Sequence, residues 1–186
     1  MSLKKDFILP IIVLSVICLL VSGALTVVNY FTEPVIKDAE EKRAVTAMKE
    51  IISNADGFEI LIMDNPRFDN IPKNVTEIYR TTNNLGFIFM VTSHGYGGDI
   101  KLICGITPDG KVIRTAVLSH NETQGLGTPI FEPSHAGQYW NNDRNGIESI
   151  TAISGATITS NAYKNGIRDA FTAFEIIKNI NWEDKL

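Results

Sequence analysis

The chain opens on an apolar run that no charge interrupts. Residues 7–28 are 22 positions without Asp, Glu, Lys or Arg, and the uncharged run continues to Thr32. At about 1.5 Å per residue this is about 33 Å of helix, enough to cross the hydrocarbon core of a bilayer. Pro10 falls in the first turn, where its missing N–H costs little. Ser22-Gly23-Ala24 offers the small residues of a signal-peptidase site, but the run is longer than a signal-peptide core, so a retained anchor is expected. Thr32-Glu33-Pro34 then reads as a new helix start, with Pro34 near its first position. Val35, Ile36, Ala39, Met48, Ile51 and Ile52 recur among charges, which predicts a connecting helix that ends near Ser53-Asn54-Ala55-Asp56-Gly57.

From Phe58 the period changes. Residues 58–63, 75–82, 87–92, 99–107 and 111–118 read as strands. In 75–82, Thr76, Ile78 and Arg80 alternate with Val75, Glu77 and Tyr79. In 99–107, Ile100, Leu102, Cys104 and Ile106 share one face. Asn83-Asn84-Leu85-Gly86 and Pro108-Asp109-Gly110 carry turn chemistry. A long irregular segment with Pro129, Pro133, Gly137 and Trp140 follows, a length that is often functional inside a compact domain. Residues 149–153 look β-like. Residues 160–177 form a last amphipathic helix, with Ala162, Tyr163, Ile167, Ala170, Phe171, Phe174 and Ile177 on its apolar stripe, and 179–186 form a polar tail. The expected organisation is a tip and transmembrane helix at 1–32, a connecting helix at 33–55, and one domain at 56–186. Its class is α+β, an antiparallel sheet with packed helices.

Composition narrows the function. The chain has 186 residues and a net charge of −4. Lys and Arg are scattered, so nucleic acid is not an expected partner. Cys18 lies in the apolar run and Cys104 in a strand; they are not expected to pair, and Cys104 reads as a core residue. Lys4 and Lys5 flank the short side of the span, whereas Lys37, Lys42 and Arg43 are mixed with acids. The positive-inside rule counts Lys and Arg, not net charge, so it does not decide here. The closeness of both lysines to the span favours a cytoplasmic N-terminus, with the domain on the other side of the membrane, since large domains translocate largely regardless of charge.

Each of the three His residues follows a Ser: Ser93-His94, Ser119-His120 and Ser134-His135. Neighbours on a strand point to opposite faces, so such a pair is not a nucleophile with its base. There is no Gly-x-Ser-x-Gly, no paired His ligands and no Gly-Lys-Ser/Thr phosphate loop, which argues against hydrolase, metal and P-loop chemistry. The chemistry-bearing stretch is Ser154-Gly155-Ala156-Thr157-Ile158-Thr159-Ser160. It holds four hydroxyls and no charge, just ahead of the last helical pattern. A helix start presents unpaired N–H groups and a partial positive charge, which suits a phosphate. Gly155 permits a sharp turn or a close approach. Thr157 offers an oxygen that can contact a phosphate or be esterified to it. Taken alone, Ser and Thr ahead of a helix more usually serve as plain helix caps. Gly95-Tyr96-Gly97-Gly98 and the glycines 125 and 127 read individually as tight turns.

Taken in order, the anchor, Gly-Tyr-Gly-Gly-Asp-Ile, the hairpin, His-Asn-Glu-Thr-Gln-Gly-Leu-Gly and Ser-Gly-Ala-Thr-Ile-Thr-Ser resemble the G subunit of Rnf-type ion-translocating oxidoreductases. The same FMN-binding domain occurs in the C subunit of the Na⁺-translocating NADH:quinone reductase. The likeness is tightest over residues 95–165. It implies FMN held through a phosphoester to Thr157, with Ser154, Gly155 and Ala156 shaping the phosphate turn and Thr159 and Ser160 as donors. It implies that Glu122, Thr123, Gly125, Leu126 and Gly127 lie against the flavin ring, with Tyr96, Gly97 and Gly98 near it. No residue is implied as a catalytic acid or base, and no metal. The expected role is electron transfer as one redox subunit of a ferredoxin:NAD oxidoreductase complex, not catalysis alone. The alternatives are a stand-alone membrane-anchored flavoprotein carrier or the equivalent quinone-reductase subunit. The implied partners are the other membrane and peripheral subunits, membrane lipid and a flavin transferase. Two positions depart from the family pattern: Thr151 stands where an acid is usual, and Gln124 where Pro is usual.

Overall fold

The structure is a computed structural model that describes residues 3–61, 68 and 70–178, with side chains described from residue 8 onward. One helix, α1 (Leu3–Ile51), runs through the apolar segment and the charged one after it. Its apolar part is exposed, and it is long and apolar enough to cross a membrane. That fits a membrane anchor. The helix start expected at Thr32-Glu33-Pro34 is absent. The Thr32 hydroxyl donates back to the Val28 carbonyl at 3.0 Å instead of capping a new helix. Pro34 sits inside the helix and forgoes one main-chain hydrogen bond. Lys37–Glu33 and Lys42–Asp38 pairs, each 2.7 Å and one turn apart, bridge this stretch. Being exposed, they contribute little to stability.

The chain divides into two compact units, the first ending at Lys42 and the second beginning at Arg43. In the second, five strands follow one another in an antiparallel meander: β1 (Phe58–Leu61), β2 (Val75–Thr81), β3 (Phe87–His94), β4 (Asp99–Ile106) and β5 (Val112–Ser119). Positions 62 and 63 of the first expected strand, and the tail from 179, lie outside the described residues. The turn at 107–111 closes by Gly110 N–H donating to the Thr107 carbonyl and Lys111 N–H to Thr107 Oγ1, at 2.9 and 3.0 Å. Gly110 is left-handed there, with φ +80°, which favours glycine. One expected alternation fails. The β2–β3 register shifts between Val75 and Glu77, so Val75 joins Ile78 in the core instead of sharing a face with Glu77, as a bulge requires.

The segment after β5 is not irregular throughout. Short 3₁₀ turns, Thr128–Phe131 and Gly137–Tyr139, alternate with the short helices α2 (Pro133–Ala136) and α3 (Arg144–Glu148). Each delivers an apolar plug: Ile130, Ala136, Tyr139 and Ile147 are all buried. Val112 N–H donates to the Asn142 carbonyl and Asn141 N–H to that of Val112, at 2.9 and 2.7 Å, which ties the segment to β5. Asp143 caps α3 by accepting from Gly146 N–H at 2.8 Å. Residues 149–153 form no strand. The N–H groups of Ser149 and Ile150 instead turn back onto Gly146 and Ile147 carbonyls at the end of α3. Their apolar character reflects burial of Ile150, not pairing.

The last helix, α4 (Thr157–Ile177), lays Tyr163, Ile167, Phe171 and Phe174 against Ile78, Phe89, Leu102, Cys104 and Ile106 of the sheet. The opposite face carries Met48 and Ile51 from the end of α1, with Ile52, against Ile88 and Ile103. α4 lies very close to the sheet. A Cβ on Gly166 would stand 2.4 Å from Leu102 Cδ2 and 2.7 Å from Ser93 Oγ.

This packing can be tested in two ways. Gly166→Val overfills the helix–sheet contact and should lower the full chain's unfolding free energy by about 1–3 kcal/mol, read by denaturant titration. Cys104 is fully enclosed and burial pushes its thiol far above the usual range. A maleimide should therefore label it only after unfolding, and labelling of the native domain would contradict the buried position.

Candidate functional site

Three segments meet at the end of the sheet where β3 turns into β4 and β5 finishes. They are the 95–98 loop, the 122–127 loop and the start of α4. Between them lies a cavity of about 400 Å³, within the roughly 300–1,000 Å³ range of small-molecule sites. The first loop lends it Tyr96. The second lends Glu122, Thr123, Leu126 and Gly127. The helix start lends Gly155, Ala156, Thr157, Ile158 and Thr159.

The chemistry of the third wall comes from how α4 begins. The helix starts at Thr157, three residues earlier than its apolar stripe predicts. Its N-cap is Ala156, which makes no side-chain capping bond. The plain-cap reading of the four hydroxyls therefore does not describe this helix. Ser160 Oγ accepts from Ile153 N–H at 3.0 Å and stitches the preceding turn to the helix. The Thr159 hydroxyl is buried and donates to Glu122 Oε2 at 2.7 Å. Ser154 is exposed and does not line the cavity. Thr157 is exposed, and its hydroxyl has no hydrogen-bond partner among the described residues. Among the described residues no side chain accepts from the first-turn N–H groups, which belong to residues that line the cavity, and the helix dipole adds positive potential there. Gly155, with φ +83°, makes the turn that sets the helix start in place; few other residues adopt that conformation without strain.

Among the described residues, Glu122 is the only charged side chain that lines the cavity. It is 8% exposed. Oε1 accepts from Gly97 N–H at 3.1 Å while Oε2 takes the Thr159 hydroxyl. The glycines of the neighbouring loops make room for it. A Cβ on Gly95 would come within 2.2 Å of Glu122 Oε1, and one on Gly127 within 2.8 Å of Oε2. Glu122 N–H donates to His120 Nδ1 at 3.2 Å, which places the His120 proton on Nε2. The 122–127 loop closes on itself through Leu126 and Gly127 N–H groups, both donating to the Thr123 carbonyl, and Gly125 N–H donates to Thr128 Oγ1.

Of the residues singled out in the sequence, the structure gathers Tyr96, Glu122, Thr123, Leu126, Gly127, Gly155, Ala156, Thr157 and Thr159 around one space. Gly97, Gly98, Gly125, Ser154 and Ser160 stand behind or beside that wall. One lining residue escaped the sequence reading: Ile158, which is 56% exposed. Its signal is an apolar residue between two threonines at a helix start, on the side away from the core stripe. With Tyr96 and Leu126 it presents exposed apolar surface to the cavity mouth. The donor set fits FMN: helix-start N–H groups and a hydroxyl suit its phosphate, and the apolar mouth suits an aromatic ring. Among the described residues no group of His, Cys, Asp and Glu could hold a metal ion.

Comparison with known proteins agrees with this chemistry. Residues 95–172 match the FMN-binding domain family. The chain is 30% identical over 168 residues to the G subunit of the proton-translocating ferredoxin:NAD(+) oxidoreductase complex of Clostridium ljungdahlii, covering 84% of this chain and 85% of that one. It is 32% identical over 183 residues to the G subunit of the ion-translocating oxidoreductase complex of Methanosarcina acetivorans, covering 91% and 95%. The G subunit of the Na(+)-translocating ferredoxin:NAD(+) oxidoreductase complex of Acetobacterium woodii is 24% identical over 189 residues, covering 88% and 89%. With an apolar N-terminal helix, an antiparallel sheet under α4 and an FMN-binding domain, the chain belongs to the family of G subunits of ion-translocating oxidoreductase complexes.

Proposed function

We propose that this protein is the membrane-anchored flavin subunit of an Rnf-type ion-translocating ferredoxin:NAD oxidoreductase complex, carrying FMN through a phosphoester to Thr157. The observation that carries the reading is the hydroxyl inventory at the start of α4. Thr159 and Ser160 are committed to Glu122 and Ile153, whereas Thr157 stands exposed on the cavity wall. In the ester, Thr157 Oγ1 loses its proton and bonds the flavin's phosphorus, as the phosphoanhydride bond of an activated flavin nucleotide such as FAD breaks and AMP leaves; a flavin transferase catalyses the exchange. The unpaired N–H groups of the first turn then lie beside the phosphate oxygens.

FMN supplies one- and two-electron chemistry, which lets it join one-electron and two-electron partners. The chain's own share is placement. α4 aims Thr157 at the cavity, Tyr96, Leu126 and Ile158 give the ring apolar surface, and the 122–127 loop shields one side. A covalent tether also prevents loss of the group on the extracytoplasmic side, where the closeness of Lys4 and Lys5 to the span favours placing the domain. Its partners are the other subunits of the same complex, and the lipid around α1.

Thr157→Ala should remove all flavin fluorescence from the protein band on a denaturing gel, with the domain still folded. No flavin should move to Thr159, whose hydroxyl is buried and bonded. An undiminished band would contradict the assignment. Thr151 is exposed three residues ahead of Ser154, where the family carries an acid. Thr151→Asp should raise the fraction of chains loaded by the transferase, read by intact mass; an unchanged fraction would show that this position does not guide attachment.

A further inference from the structure

The resemblance set Glu122 against the flavin ring. Its surroundings give it a different task. The carboxylate is buried, and both oxygens already have donors: Gly97 N–H at 3.1 Å and the Thr159 hydroxyl at 2.7 Å. No ion pair reaches it among the described residues. These two donors belong to the 95–98 loop and the first turn of α4, and Glu122 itself heads the 122–127 loop. One side chain therefore joins all three cavity walls. Gly95 and Gly127 are cut away around it, and Gly97 is cut away around its neighbour, where a Cβ would lie 2.1 Å from the Asn121 carbonyl oxygen. Thr159, held on one side by Glu122, is two residues from Thr157, so it fixes how the helix start presents that hydroxyl.

We propose that Glu122 is the positioning residue of this site, spanning the cavity by the reach of its carboxyl group and so holding in place the wall on which Thr157 stands. This rests on the reading that Thr157 carries FMN, and extends it to the residue that sets Thr157 in position. The role depends on reach, not charge. Gln in its place keeps two polar atoms at the same distance, one accepting from Gly97 N–H and the other donating to Thr159 Oγ1. Asp keeps the charge but falls one methylene short.

The test uses the full chain in detergent carrying Thr157→Ala, so that no ester is involved, and compares Glu122→Gln, Glu122→Asp and Glu122→Ala by residue-resolved hydrogen exchange. In the Asp and Ala variants the Gly97, Gly127 and Ser160 amides should exchange at least about tenfold faster, the scale of losing a hydrogen bond to a charged group. The Gln variant should match the parent, and β3 and β4 amides should stay protected in all three. Parent-like exchange in the Ala or Asp variant overturns the proposal, as does loss of protection in the Gln variant. If the Ala variant does not fold, Thr159→Val decides: it removes one of the two bonds, so Ser160 alone should exchange faster, and unchanged exchange overturns the proposal. With Thr157 restored, the flavin-loaded fraction by intact mass should fall several-fold for Asp and Ala and hold for Gln. A parent chain that never loads flavin contradicts the Thr157 reading instead, and the exchange data still decide the role of Glu122.

Discussion

The structure turns on a helix that starts without a cap. α4 supplies much of the core on one sheet face, so its position is set by Tyr163, Ile167, Phe171 and Phe174 packing on the strands. Its first residue therefore falls where the packing puts it, and Ala156 cannot satisfy the N–H groups there. In an ordinary helix a Ser or Thr at the N-cap position would do so. Here Ala156 holds that position, and Thr159 and Ser160, already inside the helix, bond to Glu122 and Ile153. What remains is an open helix end with one exposed hydroxyl beside it, a place where N–H groups and the helix dipole favour an anionic group.

The glycines around the site have their reason in that helix end. They do not chiefly free the backbone to touch a ligand. Gly95 and Gly127 clear space for a buried carboxylate, and Gly155 takes the left-handed turn that delivers the chain to the helix start. A carboxylate without an ion partner is costly to bury. Glu122 offsets that with two hydrogen bonds and a place near the positive end of α4. The same group that needs the helix end also braces it. Stability and site geometry are thus coupled through one side chain.

Much of this was legible in the sequence. The anchor was plain because 22 uncharged residues have few other uses. The five strands were plain because their apolar alternation and the turn residues at 83–86 and 108–110 agree. What was misread had local causes. Pro34 mimics a helix start but is carried inside α1, since helical hydrogen bonding on both sides outweighs one missing N–H. Ile150 and Ile153 look like a strand because burial, not pairing, makes them apolar. The bulge in β2 moves Val75 by one position, a shift no alternation pattern foretells. The cavity set was mostly recognised, because a family resemblance ties distant loops together where spacing alone does not. The division of labour among its hydroxyls was not, since bonding of Thr159 to a residue 37 positions away is a tertiary fact.

The proposed attachment point is one particular oxygen, Oγ1 of Thr157. Peptide mass mapping of the native chain, purified from cells that also hold its transferase, tests it most directly. The peptide containing Thr157 should bear the mass of an FMN ester, with fragment ions placing it on that residue and leaving Thr159 and Ser160 unmodified. A peptide of unmodified mass in native material, or an ester on Thr159, would contradict it.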